Sequence, residues 1–226
     1  MDPLSDEKVV DSWHTNATPW VSAVREQRIE SRRLVTDRAI VDAVMSRKPE
    51  FVLDLGCGEG WLVRALSAQG VRRVIGVDVV PELVEQARAA GGGDFHVASY
   101  EAIACGELHV TVDVAVANFA LIGKEAVDAL IRSIPKLLRR GGALVIQTLH
   151  PVIACGDLPY EDGWRTGSWA GFSDDFTDPA PWYFRTLETW VGLIASSGLM
   201  LTELREPIHP TTNKPASVLF IARSVS

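Results

Sequence analysis

Cysteine, basic charge and long apolar runs are scarce in this sequence of 226 residues. The three cysteines, Cys57, Cys105 and Cys155, are an odd number without a C-x-x-C pair, which argues against a disulfide framework and against structural zinc. The 22 basic residues are outnumbered by 29 acidic ones, and the net charge of −7 argues against a nucleic-acid partner. No apolar run reaches the roughly 18 residues that suggest a membrane span. We therefore expect neither nucleic acid nor a membrane among the partners.

The start of the chain and its even composition point to one cytoplasmic domain. The first residues, MDPLSDE, are acidic and polar, which is unlike a signal peptide. No internal repeat, low-complexity tract or Ser/Gly linker divides the chain, and its length suffices for a full α/β core. We therefore predict a single domain over residues 1–226, as a monomer or a homodimer.

A glycine-rich stretch, VLDLGCGEG at residues 52–60, organises the rest of the chain. Apolar residues flank the acid Asp54, as in a buried strand, and glycine then occupies every second position. Glycine lacks a Cβ, so it reaches positive φ and lets another group approach the backbone closely. Helical spacing follows from Trp61. The stretch predicts a strand, a glycine turn and a helix, the start of a nucleotide-binding βαβ unit. The alternative is a turn without a ligand, which seldom needs three alternating glycines.

The spacing of these glycines distinguishes between cofactors. A dinucleotide fingerprint is G-x-G-x-x-G, but here Gly60 comes one position early and the bulky Trp61 takes the usual place of the third glycine. Asp54 would repel a pyrophosphate, whereas it suits a ligand with an ammonium group. S-adenosylmethionine carries an ammonium, a carboxylate and a sulfonium. The run from Asp54 to Gly60 closely resembles the first motif of the class I S-adenosylmethionine-dependent methyltransferases.

This resemblance covers about residues 50–224 and implies a fold. The expected architecture is α/β, with a Rossmann-like, seven-stranded, mostly parallel sheet, an antiparallel C-terminal hairpin and helices on both faces. We divide the domain into a helical N-terminal cap (1–50), a cofactor-binding core (51–150), an aromatic insertion (151–184) and a final helix with a β-hairpin (185–226). Such a cap commonly sits over the cofactor cleft in this family. The alternative is that it only covers a sheet edge.

Local patterns predict the individual elements. Strands are predicted at residues 51–55, 73–78, 94–98, 112–121 and 143–149, with hairpin strands at 199–204 and 217–222. Thr18 is placed to N-cap a helix that has Pro19 at its first position. Further helices are predicted at Ser31–Ser46, Pro81–Ala90, Glu125–Arg140 with a kink near Pro135, and Arg185–Ser197.

The resemblance also implies cofactor contacts at the strand ends. Asp78 ends the second strand, and its distance from the glycine turn suits an acid that accepts both ribose hydroxyls. Capping the helix that begins at Pro81 is the alternative role. Family members often carry an acid near Ser99 that binds the adenine amino group; this chain departs from that pattern, and offers the Ser99 hydroxyl and a stacking ring at Tyr100. The predicted cofactor-binding residues are Asp54, Gly56, Cys57, Gly58, Gly60, Asp78, Val79, Ser99, Tyr100, Asn118 and Phe119.

The tip of the fourth strand, Asn118-Phe119-Ala120-Leu121, resembles the family motif that faces the methyl group. It lacks the [D/N]-P-P-[Y/F/W] sequence that DNA and protein-glutamine N-methyltransferases tend to carry, and the Pro-Cys nucleophile of DNA cytosine enzymes is absent. The resemblance therefore points away from those acceptors. For Phe119, simple core packing is an equally open interpretation.

The insertion 151–184 is dense in aromatic residues, which argues against disorder. A segment of this length inside a compact domain is usually functional, so we interpret it as a lid or as a wall of the acceptor pocket. Aromatic ring faces also attract a sulfonium cation. The alternative is a satellite cluster that holds a loop down. The predicted substrate-binding residues are Trp20, Trp164, Trp182 and Tyr183.

Two histidines are candidates for the general base that a hydroxyl or a protonated amine would need. His150 follows the fifth strand, at the sheet edge where ligands bind, and His209 lies between the hairpin strands. A structural role is the alternative for each. Arg32 or Arg33 is a candidate partner for the cofactor carboxylate, unless it only faces solvent. No carboxylate and histidine set has metal-ligand spacing, so no metal is predicted.

Together these features predict a methyltransferase that uses S-adenosylmethionine, releases S-adenosylhomocysteine and methylates a hydroxyl, amine or carboxylate of a small molecule. Two alternatives stay open. One is an S-adenosylmethionine-binding protein without catalysis. The other is an NAD-dependent oxidoreductase, which Trp61 and Asp54 disfavour.

Overall fold

The computed structural model describes residues 2–225, and nine strands occur within them. The strands of the main sheet are β1 (Phe51–Leu55), β2 (Arg73–Asp78), β3 (Asp94–Val97), β4 (Val112–Asn118), β5 (Leu138–Thr148), β8 (Leu199–Arg205) and β9 (Val218–Ser224). Two short strands, β6 (Gly163–Arg165) and β7 (Trp182–Phe184), pair only with each other.

The main sheet has seven strands in the order β3-β2-β1-β4-β5-β9-β8. Strands β1 to β5 are parallel to one another, and β9 is antiparallel to both β5 and β8. This topology confirms the predicted Rossmann-like sheet with its antiparallel C-terminal hairpin. The strand order reverses between β1 and β4, and ligands of open α/β sheets bind outside the carboxyl ends of the strands at such a point.

Helices cover both faces of the sheet. Before the sheet come α1 (Asp6–Thr15), α2 (Ala17–Arg25), a π-helical turn (Arg32–Thr36) and α3 (Asp37–Met45). The helices that follow are α4 (Trp61–Ala68), α5 (Pro81–Ala90), α6 (Tyr100–Ala104), α7 (Glu125–Ser133), α8 (Pro151–Ala154) and α9 (Leu187–Ser196). None of the helices within residues 2–225 has the length and apolarity needed to cross a bilayer.

The core consists of two apolar layers, one on each face of the sheet. Ile131 of α7 and Ile194 of α9 pack on the face that carries Leu53. Ile40 of α3 and Leu66 of α4 pack on the opposite face. Side chains alternate between the faces of a strand, and parallel strands buried on both faces are apolar at nearly every position. This rule explains why the strands of this sheet could be predicted from the sequence.

The predicted helix Glu125–Arg140 is wrong in its second half. Helix α7 ends at Ser133, a 3₁₀ turn covers Ile134–Lys136, and β5 already begins at Leu138. Proline removes a helical N–H and its ring clashes with the preceding turn, which accounts for the end of the α-helix. Leu138 pairs with Val112 of β4, and the register between β4 and β5 then shifts, so that Val114 pairs with Ala143.

The N-terminal cap also differs from its prediction. Helix α2 begins at Ala17, with Asn16 at its N-cap, so Thr18 does not cap it. Helix α1 lies within the helical cap predicted for residues 1–50, but it was not given bounds of its own, because its few apolar residues lie among acidic and polar ones. Its start carries a recognisable signal, since the hydroxyl oxygen of Ser5 accepts a hydrogen bond from the backbone N–H of Lys8 at 3.2 Å.

Candidate functional site

A cavity lies at the carboxyl ends of β1, β2 and β4, where the strand order reverses. Eight of the predicted cofactor-binding residues line it, and they come from four separate stretches of the chain. They are Gly56, Gly58, Asp78, Val79, Ser99, Tyr100, Asn118 and Phe119. Asp54, Cys57 and Gly60 were predicted with them but lie behind the cavity surface, and all three are buried.

The glycine turn takes a backbone conformation that other residues rarely adopt. Gly56, Gly58 and Gly60 have φ values of +72°, +55° and +83°. A Cβ on Gly56 would lie 2.4 Å from the Cβ of Ala120 and 2.7 Å from the hydroxyl oxygen of Tyr100. A Cβ on Gly60 would lie 2.7 Å from the ring of Phe95. The first and third glycines thus permit close packing, and all three permit the turn.

Asp78 sits at the end of β2 with both carboxylate oxygens engaged by backbone N–H groups. Gly58 donates to Oδ2 at 2.8 Å and Val80 donates to Oδ1 at 2.9 Å. Burial raises the pKa of this carboxyl, while the backbone hydrogen bonds oppose that rise. Helix α5 has Val80 at its N-cap and no side-chain cap. Asp78 therefore ties the glycine turn to the β2–α5 loop, and it also lines the cavity.

Asp54 is the least satisfied acid near the cavity. Its side chain is 2% exposed, and its Oδ2 has no hydrogen-bond partner within residues 2–225. Burial, helped by the negative charge of Asp78, raises the pKa of Asp54 to about 8. An unpartnered buried oxygen of this kind is costly unless a ligand or a proton satisfies it.

Ser99 and Tyr100 form the wall of the cavity that follows β3. Ser99 N-caps α6, because its Oγ accepts from the N–H of Ala102 at 3.2 Å. The hydroxyl of Tyr100 donates to the carbonyl oxygen of Ala120 at 3.2 Å, and burial raises the pKa of Tyr100 well above its usual value. Tyr100 thus links the start of α6 to the loop after β4.

The tip of β4 is held in a strained conformation. Phe119 has φ of +53°, which is unusual for a residue with a bulky side chain. Its N–H donates to the carbonyl oxygen of Gln147 on β5 at 2.8 Å. Such strain persists where surrounding contacts enforce it, and it is frequent at functional sites.

The N-terminal cap forms a roof over the cavity. Val9, Val10 and Trp13 of α1 and Trp20 of α2 line the cavity. Sequence patterns identified Trp20 but missed the α1 residues. Asp6 anchors this roof, since its carboxylate accepts from the N–H groups of Lys124 at 2.6 Å and Ala126 at 2.9 Å, at the start of α7.

The aromatic insertion is tied to this roof. Asn16 makes two hydrogen bonds to the backbone of Thr177, donating to its carbonyl oxygen at 2.7 Å and accepting from its N–H at 2.9 Å. The hydroxyl of Ser12 donates to the carbonyl oxygen of Asp178. An aromatic cluster completes the junction, with neighbouring ring centroids 4.7–6.5 Å apart; its members are Trp13, Trp20, Trp169, Phe172 and Phe176.

Three of the predicted substrate-binding residues lie outside the cavity lining. Trp164 of β6 and Tyr183 of β7 face each other with ring centroids 5.6 Å apart, and Trp182 lies beside them on β7. The N–H of Tyr183 donates to the carbonyl oxygen of Ile122 at 2.7 Å. Because Ile122 lines the cavity, the β6–β7 ribbon supports the cavity wall from behind.

The two predicted bases are likewise not part of the cavity lining. His150 is 5% exposed, with its Nε2 2.7 Å from Oε1 of Glu206 and its Nδ1 without a partner in the described chain. His209 lies in the loop between β8 and β9, where its Nδ1 accepts from the N–H of Thr211 at 3.3 Å. The structure brings neither histidine to the residues around Asp78.

The two arginines considered for the cofactor carboxylate have different environments. Arg32 is buried, donates to Oδ1 of Asp37 at 2.9 Å and lies 4.7 Å from the ring centroid of Trp61. Arg33 is exposed. Neither lines the cavity. Within residues 2–225 there is also no group of three or more histidine, cysteine or acidic side chains that could hold a metal ion.

Methyltransferases are among the known proteins that are similar to this chain. Residues 52–142 match the sequence family described as "Methyltransferase domain". The fold is similar to an S-adenosylmethionine-dependent methyltransferase from Mesorhizobium loti, with a TM-score of 0.61 and 25% identity over 81% of this chain and 97% of that one.

Two curated relatives match a shorter part of the chain. The ribosomal protein L11 methyltransferase of Pelobacter propionicus is 33% identical over 131 residues, which cover 52% of this chain and 40% of that protein. The ubiquinone biosynthesis O-methyltransferase of Xylella fastidiosa is 35% identical over 121 residues, 46% of this chain and 43% of that protein. The chain thus spans less than half the length of these two relatives, whose acceptors differ.

Proposed function

The chain belongs to the class I S-adenosylmethionine-dependent methyltransferase superfamily, and from that premise we propose that it methylates a hydroxyl, amine or carboxylate of a small molecule. The cofactor is S-adenosylmethionine. In this function, residues 1–226 act as one domain in the cytoplasm. It does not involve a nucleic acid or a membrane as the acceptor.

The cavity around Asp78 is the observation that supports this function best, because its residues fit the cofactor. Asp78 has lone pairs left to accept the ribose hydroxyls, since a carboxylate offers about four acceptor sites and two are used. Asp54 lies behind the cavity surface, and the charge of its ionised carboxylate suits the cofactor's ammonium group on the other side of the glycine turn. Val79 and Tyr100 offer apolar and ring surface for the adenine.

The roof over the cavity supports a small acceptor. Trp13 and Trp20 cover the cavity, and the bonds between Asn16 and Thr177 hold the aromatic insertion against them. An acceptor must fit beneath these rings or displace them. A small, partly apolar molecule meets that condition more easily than a folded protein does.

The chain's contribution to the reaction is binding, alignment and exclusion of water. When bound, S-adenosylmethionine supplies a methyl carbon that is already activated by a positively charged sulfur. Asp78 and the glycine turn orient the cofactor, and the aromatic roof shields the reacting atoms from water. Asn118 and Phe119 lie at the tip of β4, on the same cavity surface, and limit where an acceptor can sit.

A transfer assay tests the proposal. Protein is incubated with S-adenosylmethionine carrying a tritiated methyl group and with the low-molecular-mass and macromolecular fractions of a cell extract. We expect the label in the low-molecular-mass fraction, and an Asp78→Ala variant should remove it. Label found only in macromolecules would contradict the proposed acceptor class. Tight binding of S-adenosylhomocysteine without transfer to either fraction would instead favour the non-catalytic binding protein.

Binding of S-adenosylhomocysteine is expected to release a proton at pH 7. With a pKa of about 8, Asp54 is mostly protonated before binding, and the ligand's ammonium favours its ionised form. Affinity should therefore rise with pH, by up to about tenfold per unit, until pH 8 is approached. Calorimetry in two buffers of different ionisation enthalpy measures the released protons.

An Asp54→Asn variant is the matched control for this proton release. It keeps the shape of the side chain but cannot ionise, so its binding should be weaker and should release no proton from this site. If the wild type and Asp54→Asn release the same number of protons, Asp54 does not face the ammonium group.

A further inference from the structure

The side-chain amide of Asn118 has only one orientation that satisfies its neighbours. Gln147 on β5 donates from Nε2 to the carbonyl oxygen of Thr36 at 3.0 Å and to Oδ1 of Asn118 at 2.6 Å. Its Oε1 accepts from the hydroxyl of Ser217 at 3.2 Å. The carbonyl oxygen of Thr36 can only accept, so the NH₂ group of Gln147 must point toward Thr36 and Asn118. The atom of Asn118 that receives this bond must therefore be its oxygen.

The NH₂ group of Asn118 consequently takes no part in this network. It has no hydrogen-bond partner within residues 2–225, while Asn118 itself lines the cavity and is half-buried. Gln147 also accepts the N–H of Phe119 with its backbone carbonyl at 2.8 Å, so one residue positions the whole tip of β4. The tip of β4 thus presents the NH₂ group of Asn118 to the cavity as a hydrogen-bond donor. The Oδ1 atom of Asn118 is already occupied by the hydrogen bond from Gln147.

A hydrogen-bond donor at the tip of β4 favours one kind of atom as the acceptor of the methyl group. An oxygen with free lone pairs gains a hydrogen bond from the Asn118 amide, and the gain is larger if that oxygen is charged. An amine that attacks with its lone pair has only N–H groups left, and these would face another donor. The amide of Asn118 therefore favours an oxygen acceptor over an amine.

The other ionisable groups of the cavity narrow the choice further. Among the described residues that line it, the ionisable ones are the acids Asp6, Asp78 and Glu101 and the phenol of Tyr100, with no histidine, lysine, arginine or cysteine. The positive charge available to an anionic acceptor is therefore the sulfonium of the cofactor. Asp6 and Asp78 are engaged by backbone N–H groups, and the Tyr100 hydroxyl donates to Ala120. A carboxylate side chain is a poor base for an alcohol. An acceptor that arrives already ionised needs no base.

We propose that the acceptor is the carboxylate of a small organic acid and that Asn118, positioned by Gln147, donates a hydrogen bond to it. This inference rests on the proposed function. One carboxylate oxygen forms the bond to the methyl carbon while the carbon–sulfur bond breaks and leaves its electron pair on sulfur. The product is a methyl ester, and no proton moves. The sulfonium charge offsets the acceptor's negative charge before transfer.

The chemistry of the labelled product tests the acceptor even before its identity is known. Mild alkali hydrolyses a methyl ester to volatile methanol, whereas methyl ethers and methylamines keep their label. In the tritium assay, we expect alkali to release the label from the low-molecular-mass product. A product whose label survives alkali would leave the proposed function standing and overturn the carboxylate assignment. If the wild type labels no small molecule, the proposed function itself is contradicted.

An Asn118→Asp variant tests the role of the amide. Aspartate keeps an oxygen for Gln147 to donate to, but it replaces the free NH₂ group by an oxygen that repels a carboxylate. We expect kcat/KM to fall by about 10- to 100-fold, the loss expected for a hydrogen bond to a charged group. Asn118 was predicted as a cofactor contact, but here its amide is assigned to the acceptor, so the Kd for S-adenosylhomocysteine should stay within about threefold. An unchanged kcat/KM, or a loss confined to S-adenosylhomocysteine binding, would show that the amide does not face the acceptor.

A binding measurement needs no turnover. The side-chain NH₂ signal of Asn118 is identified in a proton–nitrogen correlation spectrum by its loss in Asn118→Asp. With S-adenosylhomocysteine bound, phenylacetate should shift this signal more than phenethyl alcohol does, and phenethylamine should not shift it. An unmoved signal at saturating phenylacetate, or an equal shift with the amine, contradicts the proposal.

Asn213→Asp is the matched control for Asn118→Asp in the activity assay. It makes the same chemical change in the exposed loop before β9 and should keep wild-type activity.

Discussion

Replacing Asp78 by alanine is expected to weaken the binding of S-adenosylhomocysteine by about 100-fold or more. The carboxylate of Asp78 is positioned by the N–H groups of Gly58 and Val80, and we expect its free lone pairs to accept both ribose hydroxyls. A hydrogen bond to a charged group contributes about 1.5–3 kcal/mol. Two of them amount to roughly 3–6 kcal/mol, and each 1.4 kcal/mol corresponds to tenfold in Kd. Calorimetric titration of the purified variant measures the change.

Two comparisons separate the lost ligand contact from a damaged fold. Asp78→Asn retains one oxygen and should bind with intermediate affinity, because its amide cannot accept from both backbone N–H groups. Asp94→Ala removes an exposed acid from β3, where it pairs with Arg73 at the sheet edge, and should leave Kd unchanged. Thermal unfolding of each variant without ligand reports the fold. If folded Asp78→Ala binds within about threefold of the wild type, Asp78 does not hold the ribose.

Replacing Arg185 by methionine is expected to lower the free energy of unfolding by about 3–5 kcal/mol, the range for breaking a buried ion pair. The Arg185 side chain is 1% exposed and donates to Oδ1 of Asp128 at 2.8 Å. It also donates to the carbonyl oxygens of Gly123 at 2.9 Å and Lys124 at 3.1 Å. These bonds hold the β4–α7 loop that lines the cavity, so S-adenosylhomocysteine binding should weaken as well. Urea unfolding followed by circular dichroism measures the stability.

Arg132→Met is the matched control, because Arg132 reaches the same carboxylate from an exposed position. Its guanidinium lies 3.9 Å from Oδ2 of Asp128 and its side chain is 60% exposed. Exposed pairs contribute about 0.2–1 kcal/mol, so this variant should be nearly as stable as the wild type. Equal losses for the two variants would contradict the buried role of Arg185.

The pH dependence of stability gives a further check on this ion pair. Burial of Asp128 opposes ionisation, but the hydrogen bonds from Lys124 and Arg185 outweigh it and lower the pKa of this carboxyl. A carboxyl with a lowered pKa contributes its full stability above its unfolded value of about 4, and loses it as the pH falls through the folded value. The cost of Arg185→Met should therefore be largest at neutral pH and shrink in acid.

Strong local signals allowed the sheet to be predicted from the sequence. The strands β1 and β2 were predicted with the bounds that the structure gives them, and β4, β8 and β9 to within a few residues. Parallel strands buried on both faces appear as short apolar runs, and the glycines between them mark the turns. The border between α7 and β5 was misplaced, because Leu138 belongs to a strand only through its pairing with Val112.

The sequence alone was enough to determine the glycine turn, the acid at the end of β2 and the class of cofactor. Each depends on residues close together in the chain, where backbone sterics and charge act without help from distant segments. The tertiary structure decided the roof, the surroundings of His150 and the orientation of the Asn118 amide. Those depend on pairs such as Asp6 with Lys124 and Asn118 with Gln147, which lie 118 and 29 residues apart. No local pattern specifies such partners, because hydrogen bonds between distant segments form only after the sheet has brought its strand ends together.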